Sequence, residues 1–443
     1  MLKKSYYNVV LNDSASGKDF LYNTRSGAFA TLDTFKDYYK THDIFDPEDQ
    51  EHQEEISKMK ANGFAVEDGT DEIKIIDLME QMSRFNSNQL SLTIAPTLWC
   101  NFDCPYCYEQ KNGHRMNEET QNLLIEFIGQ QAKRIRSLFV TWYGGEPMLE
   151  METIRKLSEE FIAICKENNV NYSATIVTNG YYLTKENAEI LLNECQVKSA
   201  QVTIDGYKDT NNQRRRSRDG KDTFSVIVQN VDQAKEIISI SVRINVDKTN
   251  MGEIEKLLHF YKDTMHWDKS KNVYIYPAQV TDSTGKYTSC LDASDFSQFD
   301  EKFNNRLYDM KGKEILKGIY PRQHISYCSA LSPNSYVIDP DGYFYKCWEE
   351  IGIEKYRVGS LEDGVKSNPY YVQWLSLQVP EECHDCKFRP ICGGGCPFKR
   401  MERGNAKQCD IARYTLPAIL KLVYKSYMEE KKKAEVAEKV PIH

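Results

Sequence analysis

Nowhere in the 443 residues does an apolar run approach the roughly 20 that a membrane-crossing helix needs. The opening residues, Met1-Leu2-Lys3-Lys4-Ser5-Tyr6-Tyr7, lack the apolar core of a secretory signal. With 28% charged residues and a mean hydropathy of −0.61, the composition predicts a soluble, cytoplasmic protein with no membrane partner. A basic excess is also missing: 57 Lys and Arg stand against 65 Asp and Glu, for a net charge of −8. A phosphate-binding surface draws on a cationic surplus, so nucleic acid is not the expected partner. The run Arg214-Arg215-Arg216-Ser217-Arg218 is a local exception and reads as a solvated loop.

Cysteine is what the chain has in surplus, with thirteen. In a long cytosolic chain, metal or cluster binding explains them better than disulfides do. The first group is Trp99-Cys100-Asn101-Phe102-Asp103-Cys104-Pro105-Tyr106-Cys107, a C-x3-C-x2-C loop directly after the apolar run Leu92-Thr93-Ile94-Ala95-Pro96. Three thiolates can hold three corners of a cubane iron–sulfur cluster, and no fourth cysteine lies nearby. One iron is then left open to a substrate or cofactor. A zinc knuckle with His114 as fourth ligand is the competing reading.

The C-x3-C-x-aromatic-C pattern resembles the signature of the radical S-adenosylmethionine (SAM) superfamily. The resemblance implies that Cys100, Cys104 and Cys107 hold a [4Fe–4S] cluster whose open iron chelates SAM. One electron then cleaves SAM to a 5′-deoxyadenosyl radical.

Around this loop, 40% hydrophobic content over such a length allows two or three domains. Residues 1–88 read as a small α/β module in which three strand-like runs (7–11, 20–22 and 28–32) precede helical segments near 34–39 and 47–60. That order resembles the winged-helix-like peptide-recognition module of peptide-modifying radical enzymes; a plain packing extension is the alternative. Residues 89–285 alternate strands (92–95, 138–142, 174–177, 200–204, 240–246, 273–276) with helices (118–133, 153–166, 185–195, 224–237, 252–261). The fold class is therefore α/β, with six units forming a partial (β/α)6 TIM barrel whose ligands bind at the C-terminal strand ends. Residues 286–327 read as a linker, 328–412 as a cysteine-rich domain, and 413–443 as a helix near 411–428 with a frayed tail at Lys431-Lys432-Lys433.

Polar motifs recur at those strand ends. Tyr143-Gly144-Gly145-Glu146-Pro147 follows the second strand, and its glycines permit close backbone approach to a ligand. It is similar to the superfamily's GGEP motif, which implies that Glu146 grips the SAM amino group. Asn179 and Asp205 follow the third and fourth strands and suit ribose hydroxyls. Ten residues beyond Asp205, Arg215 stands where relatives pair an arginine with the SAM carboxylate; Arg214 is its rival. On the fifth strand Arg243 and Asn245 share a face, and Asn245 matches a polar position in similar enzymes. With Tyr106, these form the expected SAM-contacting set.

A second cysteine group comprises Cys328, Cys347, then Cys383-x2-Cys386-x5-Cys392-x3-Cys396, and finally Cys409. Its spacing resembles the SPASM extension, which implies two auxiliary [4Fe–4S] clusters and three in all. By that resemblance Cys383, Cys386, Cys392 and Cys409 fill one, and Cys328, Cys347 and Cys396 the other. Asn334 occupies the place of the latter's fourth cysteine in sulfatase-maturing relatives; Cys290 is a possible substitute. Cys165 and Cys195 read as inert core residues.

The expected activity is modification of a ribosomally made precursor peptide, foremost by a cysteine thioether cross-link, with a flavodoxin- or ferredoxin-type electron donor. Sulfatase-type formylglycine formation and carbon–carbon cross-linking or epimerisation are alternatives within the superfamily. A non-enzymatic zinc-binding interaction protein is the alternative outside it. No catalytic acid or base is identifiable.

Overall fold

A computed structural model describes residues 1–13, 16–35, 38–111, 113–282 and 285–438 of the chain. They divide into two compact units, one formed by Met1–Ser83, Ser297–Cys328 and Leu377–His443, the other by Arg84–Phe296 and Ser329–Ser376. Among the described residues no helix is long and apolar enough to cross a membrane.

The second unit is built on a ten-stranded sheet. Six strands (Gln89–Ile94, Ser137–Trp142, Asn171–Thr178, Val197–Thr203, Ser239–Val246 and Val273–Gln279) lie side by side in chain order, all parallel. Parallel neighbours need long crossovers, and the helices Glu118–Ala132, Met151–Glu167, Lys185–Asn193, Thr223–Ala234 and Ile254–Asp263 supply them. Along Ser239–Val246 every second residue is buried, and the helix after it buries Leu257, Leu258 and Tyr261. These are the two periodicities from which the alternation is expected. The sheet is not closed, ending at Val273–Gln279 on one side and Gly364–Val365 on the other.

Beyond the expected six strands, Ser335–Ile338 pairs in parallel with Gln89–Ile94. Tyr343–Tyr345, Gly359–Ser360 and Gly364–Val365 then follow as antiparallel neighbours. The first two of these strands form a hairpin at Asp339-Pro340-Asp341-Gly342, closed by the Gly342 N–H on the Asp339 carbonyl at 3.0 Å.

In the first unit, Leu2–Lys4 pairs antiparallel with both Ile44–Phe45 and Ala65–Glu67, and Asn8–Asp13, Lys18–Asn23 and Phe29–Thr31 form a meander. The meander carries the three expected runs; the other sheet joins segments too short to signal themselves. The helix expected over 34–39 includes residues 36 and 37, which lie outside the described residues. Leu21, Phe35, Tyr39, Phe45, Ile56, Met59 and Phe64 make the core.

The linking or bridging segment 286–327 contains a helix, Ala293–Lys311, that buries Phe296, Phe299, Phe303 and Leu307 at three- and four-residue spacing. One expectation changes. The C-terminal helix runs Ala412–Glu438, so Lys431, Lys432 and Lys433 are exposed helical residues and not a frayed tail. The Glu-, Lys- and Ala-rich sequence there has high helix propensity.

Candidate active site

The cysteine loop leaves the first parallel strand and is held from two sides. Beneath it lies the glycine turn: the Gly145 N–H bonds the Thr97 carbonyl at 3.1 Å and the Glu146 N–H bonds the Trp99 carbonyl at 2.9 Å. A Cβ on Gly144 would fall 2.3 Å from the Thr97 oxygen, and one on Gly145 2.3 Å from the Trp99 oxygen. The close approach these glycines permit is to the cysteine loop itself. Pro147 opens the 3-10 turn that follows.

From the other side comes the arginine run. The Asp103 N–H bonds the Arg216 carbonyl, Phe102 bridges Ser217, Arg216 pairs with Asp103 at 2.8 Å, and the Arg218 Nε donates to the Cys100 carbonyl at 3.0 Å. The solvated-loop reading of this run is therefore corrected. Arg214 and Arg215 are buried, and the run clamps the cysteine loop.

Glu146, fully buried, accepts hydrogen bonds from Met148 N–H (3.0 Å), Thr178 Oγ1 (2.7 Å) and Asn179 N–H (2.7 Å). Burial raises its pKa and these donors oppose the rise. The Asn179 amide donates to Asn101 at 2.7 Å and points at the Cys100 sulfur at 3.9 Å. Asp205 accepts from the Tyr106 hydroxyl and from Asn245 N–H at 2.9 Å. The Tyr106 hydroxyl also receives Arg215 Nη1 at 3.0 Å and Asn245 Nδ2 at 3.3 Å. Glu146, Asn179, Asp205, Arg215, Asn245 and Tyr106 are thus brought together around the Cys100 loop.

Arg214 is committed elsewhere, to Asp247 at 2.7 Å, to Thr249 and to the Asn245 carbonyl at 3.1 Å. Arg215 makes the Tyr106 contact, and both arginines keep a buried Nε without a hydrogen-bond partner, that of Arg214 lying 3.8 Å from Asp205.

Next to this cluster is a cavity of about 160 Å³ lined by the strand-end residues Val177, Gln201, Thr203, Arg243 and Gln279 and walled by Tyr108, Tyr143 and Trp348. The aromatic wall is tied together: Tyr108 and Tyr143 join their hydroxyls, Tyr143 packs on Trp348 at 4.6 Å, and the Trp348 indole donates to Thr93 at 3.0 Å. Sequence reasoning missed this wall because Trp348 lies far along the chain. Glu350 was missed too. Its carboxylate accepts from the N–H groups of Lys346 (3.1 Å) and Cys347 (3.0 Å) and from Tyr370 and Trp374, holding the peptide that carries Cys347. The Glu three residues after Cys347 was the available signal.

In the first unit Cys383, Cys386, Cys392 and Cys409 are near neighbours. The Cys383 pKa is raised first by burial and then by the charges of Cys392, Cys386 and Cys409. Backbone N–H groups of Asp410 and Gly394 bond Cys392, and Arg413 reaches Cys409 at 3.7 Å. A Cβ on Gly393, at φ 59°, would strike the Tyr327 ring at 2.0 Å. Arg389, buried, fastens this segment to Glu80 (2.8 Å) and Asp77 (2.6 Å). Cys328 and Cys396 also belong to this unit, whereas Cys347 and Asn334 belong to the other. The Asn334 carbonyl accepts from Ser91 N–H at 3.0 Å, and Cys290 lies near the Tyr287 carbonyl. Cys165 and Cys195 are buried core residues, as expected.

The residues present fit a thiolate-held cluster with SAM beside it. All thirteen cysteines are free thiols. Burial pushes Cys100 up to about 12 and Cys107 to about 11, a cost that a coordinating metal reverses by deprotonating the thiol outright. The Phe102 N–H and the Asn179 amide address the Cys100 sulfur, and the orphaned Arg215 Nε awaits an anion. Among the described residues, no three His, Cys, Asp or Glu side chains are gathered around a single ion position.

Residues 94–261 match the Radical SAM superfamily model. Over 342 residues the chain is 24% identical to a cysteine-type anaerobic sulfatase-maturating enzyme of Clostridium perfringens, covering 69% of this chain and 88% of that one. It is 25% identical to an uncharacterised protein of Archaeoglobus fulgidus over 345 residues, 72% of this chain and 77% of that one. Among solved structures, anSMEcpe with bound AdoMet and Cp18Cys peptide superposes with a TM-score of 0.56 at 19% identity, covering 78% of this chain and 99% of that one. Streptococcus suis SuiB bound to the precursor peptide SuiA does so at 0.52 and 15%, covering 91% and 97%. With the cysteine loop, the glycine turn and the parallel sheet in place, residues 94–261 are a radical SAM domain.

Proposed function

We propose that this enzyme is a SPASM-type peptide maturase that closes a cysteine thioether within a ribosomally made precursor peptide. What supports the reading is the second cysteine group: Cys383, Cys386, Cys392 and Cys409 are near neighbours within the first unit, and we read them as the ligands of one cluster. Cys328, Cys347 and Cys396 are assigned to a further cluster, with Asn334 where a fourth thiol would stand. The sheet is read as a partial barrel and residues 1–88 as the peptide-recognition module. Solved structures of similar fold that hold a bound peptide support a peptide as substrate.

Cys100, Cys104 and Cys107 would hold the SAM-binding cluster. Glu146 would face the SAM amino group, Arg215 its carboxylate, and Asp205, Asn179, Asn245 and Tyr106 its adenosyl part. When bound, SAM and the clusters supply hydrogen-atom abstraction and an acceptor for the electron released as the C–S bond closes; the first electron comes from a flavodoxin- or ferredoxin-type donor. The chain's own residues position the substrate and exclude water, with Tyr108, Tyr143 and Trp348 walling the cavity. No side chain is assigned as acid or base.

Anaerobic co-expression with short cysteine-containing peptides encoded beside the gene tests the reading. The expected product has lost two hydrogens and has one thiol fewer to alkylate; an unmodified set of precursors sinks it. The relatives named as sulfatase-maturating enzymes favour a second reading, cysteine oxidation to formylglycine. That product loses its sulfur and reacts with hydrazides.

A further inference from the structure

The cavity beside the SAM cluster holds one cation with no assigned task. Arg243 lies on the fifth parallel strand, with Thr203 and Tyr276 opposite it on the flanking strands. Its Nε donates to Asn245 Oδ1 at 2.8 Å and its side chain also hydrogen-bonds Tyr276, which leaves the remainder of its five N–H donors for a ligand. Among the described residues it forms no ion pair, whereas Arg214 nearby pairs with Asp247 at 2.7 Å. The acidic residue of the lining, Glu349, forms no ion pair with Arg243 and follows Trp348, whose indole bonds Thr93 of the first strand. Gln201 accepts from the Tyr276 hydroxyl at 2.6 Å, so its amide N–H groups are donors for whatever enters. The floor therefore offers a half-buried guanidinium and an amide, and no matching anion.

We infer that the cavity takes a carboxylate of the substrate peptide, with Arg243 as its counter-ion. A guanidinium's planar fork matches a carboxylate's two oxygens, and a cation in a confined site favours an anion that brings its own hydrogen-bond acceptors. A volume of about 160 Å³ gives room for a peptide side chain. Tyr106 and Asn245 line the same cavity, so the carboxylate sits next to the proposed SAM-contacting residues. Arg243 is thereby a specificity determinant that chooses which peptide residue lies near the reacting carbon. The inference rests on the peptide-maturase reading.

The test is anaerobic calorimetric titration of the reconstituted, SAM-loaded enzyme with three N-acetylated pentapeptides. One has a central glutamate and an amidated C-terminus, one replaces that glutamate by glutamine, and one is the glutamine peptide with a free C-terminal carboxylate. Wild type is expected to bind the glutamate peptide about tenfold tighter than its glutamine isostere. In Arg243→Gln that ratio falls to within about twofold, and Arg243→Lys is intermediate. Preference for the free C-terminal carboxylate instead assigns the same pocket to a chain end. Equal wild-type binding of all three peptides overturns the inference, without needing any variant to fold. So does a ratio that survives in Arg243→Gln while SAM affinity drops, which would make Arg243 a support for Asn245 only. Precursor modification without discrimination removes this inference alone; discrimination with no modified precursor removes the maturase reading and leaves the carboxylate pocket.

Discussion

Two adjacent arginines have opposite fates, and their partners explain why. Arg214 is enclosed by Asp247, Thr249 and the Asn245 carbonyl, while Arg215 touches the Tyr106 hydroxyl and has donors to spare. Arg214→Gln strands the buried Asp247 and is expected to cost about 3 kcal/mol of stability in denaturant unfolding. Arg215→Gln is expected instead to weaken SAM binding at least tenfold by equilibrium dialysis, because the proposed counter-charge for the SAM carboxylate would be gone; unchanged SAM affinity would assign the carboxylate to another cation. Asp300 is a second residue whose surroundings decide its behaviour: burial raises its pKa to about 6, opposed by a hydrogen bond from Asn304. A folded pKa above the unfolded value near 3.8 means the native state binds the extra proton between those values. Its contribution to stability is therefore fully present below about pH 4 and is lost as pH rises through 6. Asp300→Asn should gain on the order of 1 kcal/mol at pH 7.5 and nothing at pH 4, read as a pH-dependent difference in melting temperature.

At the level of elements, the site is a junction of turns more than a set of side chains. The loop 99–107 has little structure of its own, and the glycine turn and the arginine run hold it by main-chain bonds. Gly145→Ala drives a methyl into the Trp99 carbonyl, so the loop must move even though the substituted turn lies outside it. Reconstituted Gly145→Ala should lose the iron and sulfide of one cluster, roughly four of each, while circular dichroism stays native. Full iron content in that variant would show that the loop does not depend on its support. The GGEP-like motif was legible in sequence, but its glycines read there as room for a ligand. Only the pairing of loop with turn revealed what occupies that room.

For the whole molecule, the cysteine arithmetic predicts roughly twelve iron and twelve sulfide per chain after anaerobic reconstitution, three cubanes at four each. Roughly eight would remove the cluster at Cys328, Cys347 and Cys396, and stoichiometric zinc in a colourless protein would remove the cluster reading altogether. The strand–helix alternation, the C-x3-C-x2-C loop and the strand-end residues Glu146, Asn179, Asp205, Arg215 and Asn245 were all readable in one dimension. Each depends on local periodicity or on spacing within a single turn, and short-range sterics enforce those wherever the segment lies. Three features were not readable. The sheet continues through Ser335–Ile338, a parallel pairing across hundreds of residues that no local pattern encodes. Arg214 and Arg215 are buried because Asp247 and Tyr106 come to meet them, whereas a run of arginines alone reads as solvated. The cavity wall of Tyr108, Tyr143 and Trp348 joins residues from three separate loops. The sequence by itself determined that a loop of three cysteines follows the first strand of a parallel sheet. Which charges are buried, which remain unmatched and what the cavity can admit were decided by the tertiary structure, because burial and charge pairing belong to neighbours in space and not along the chain.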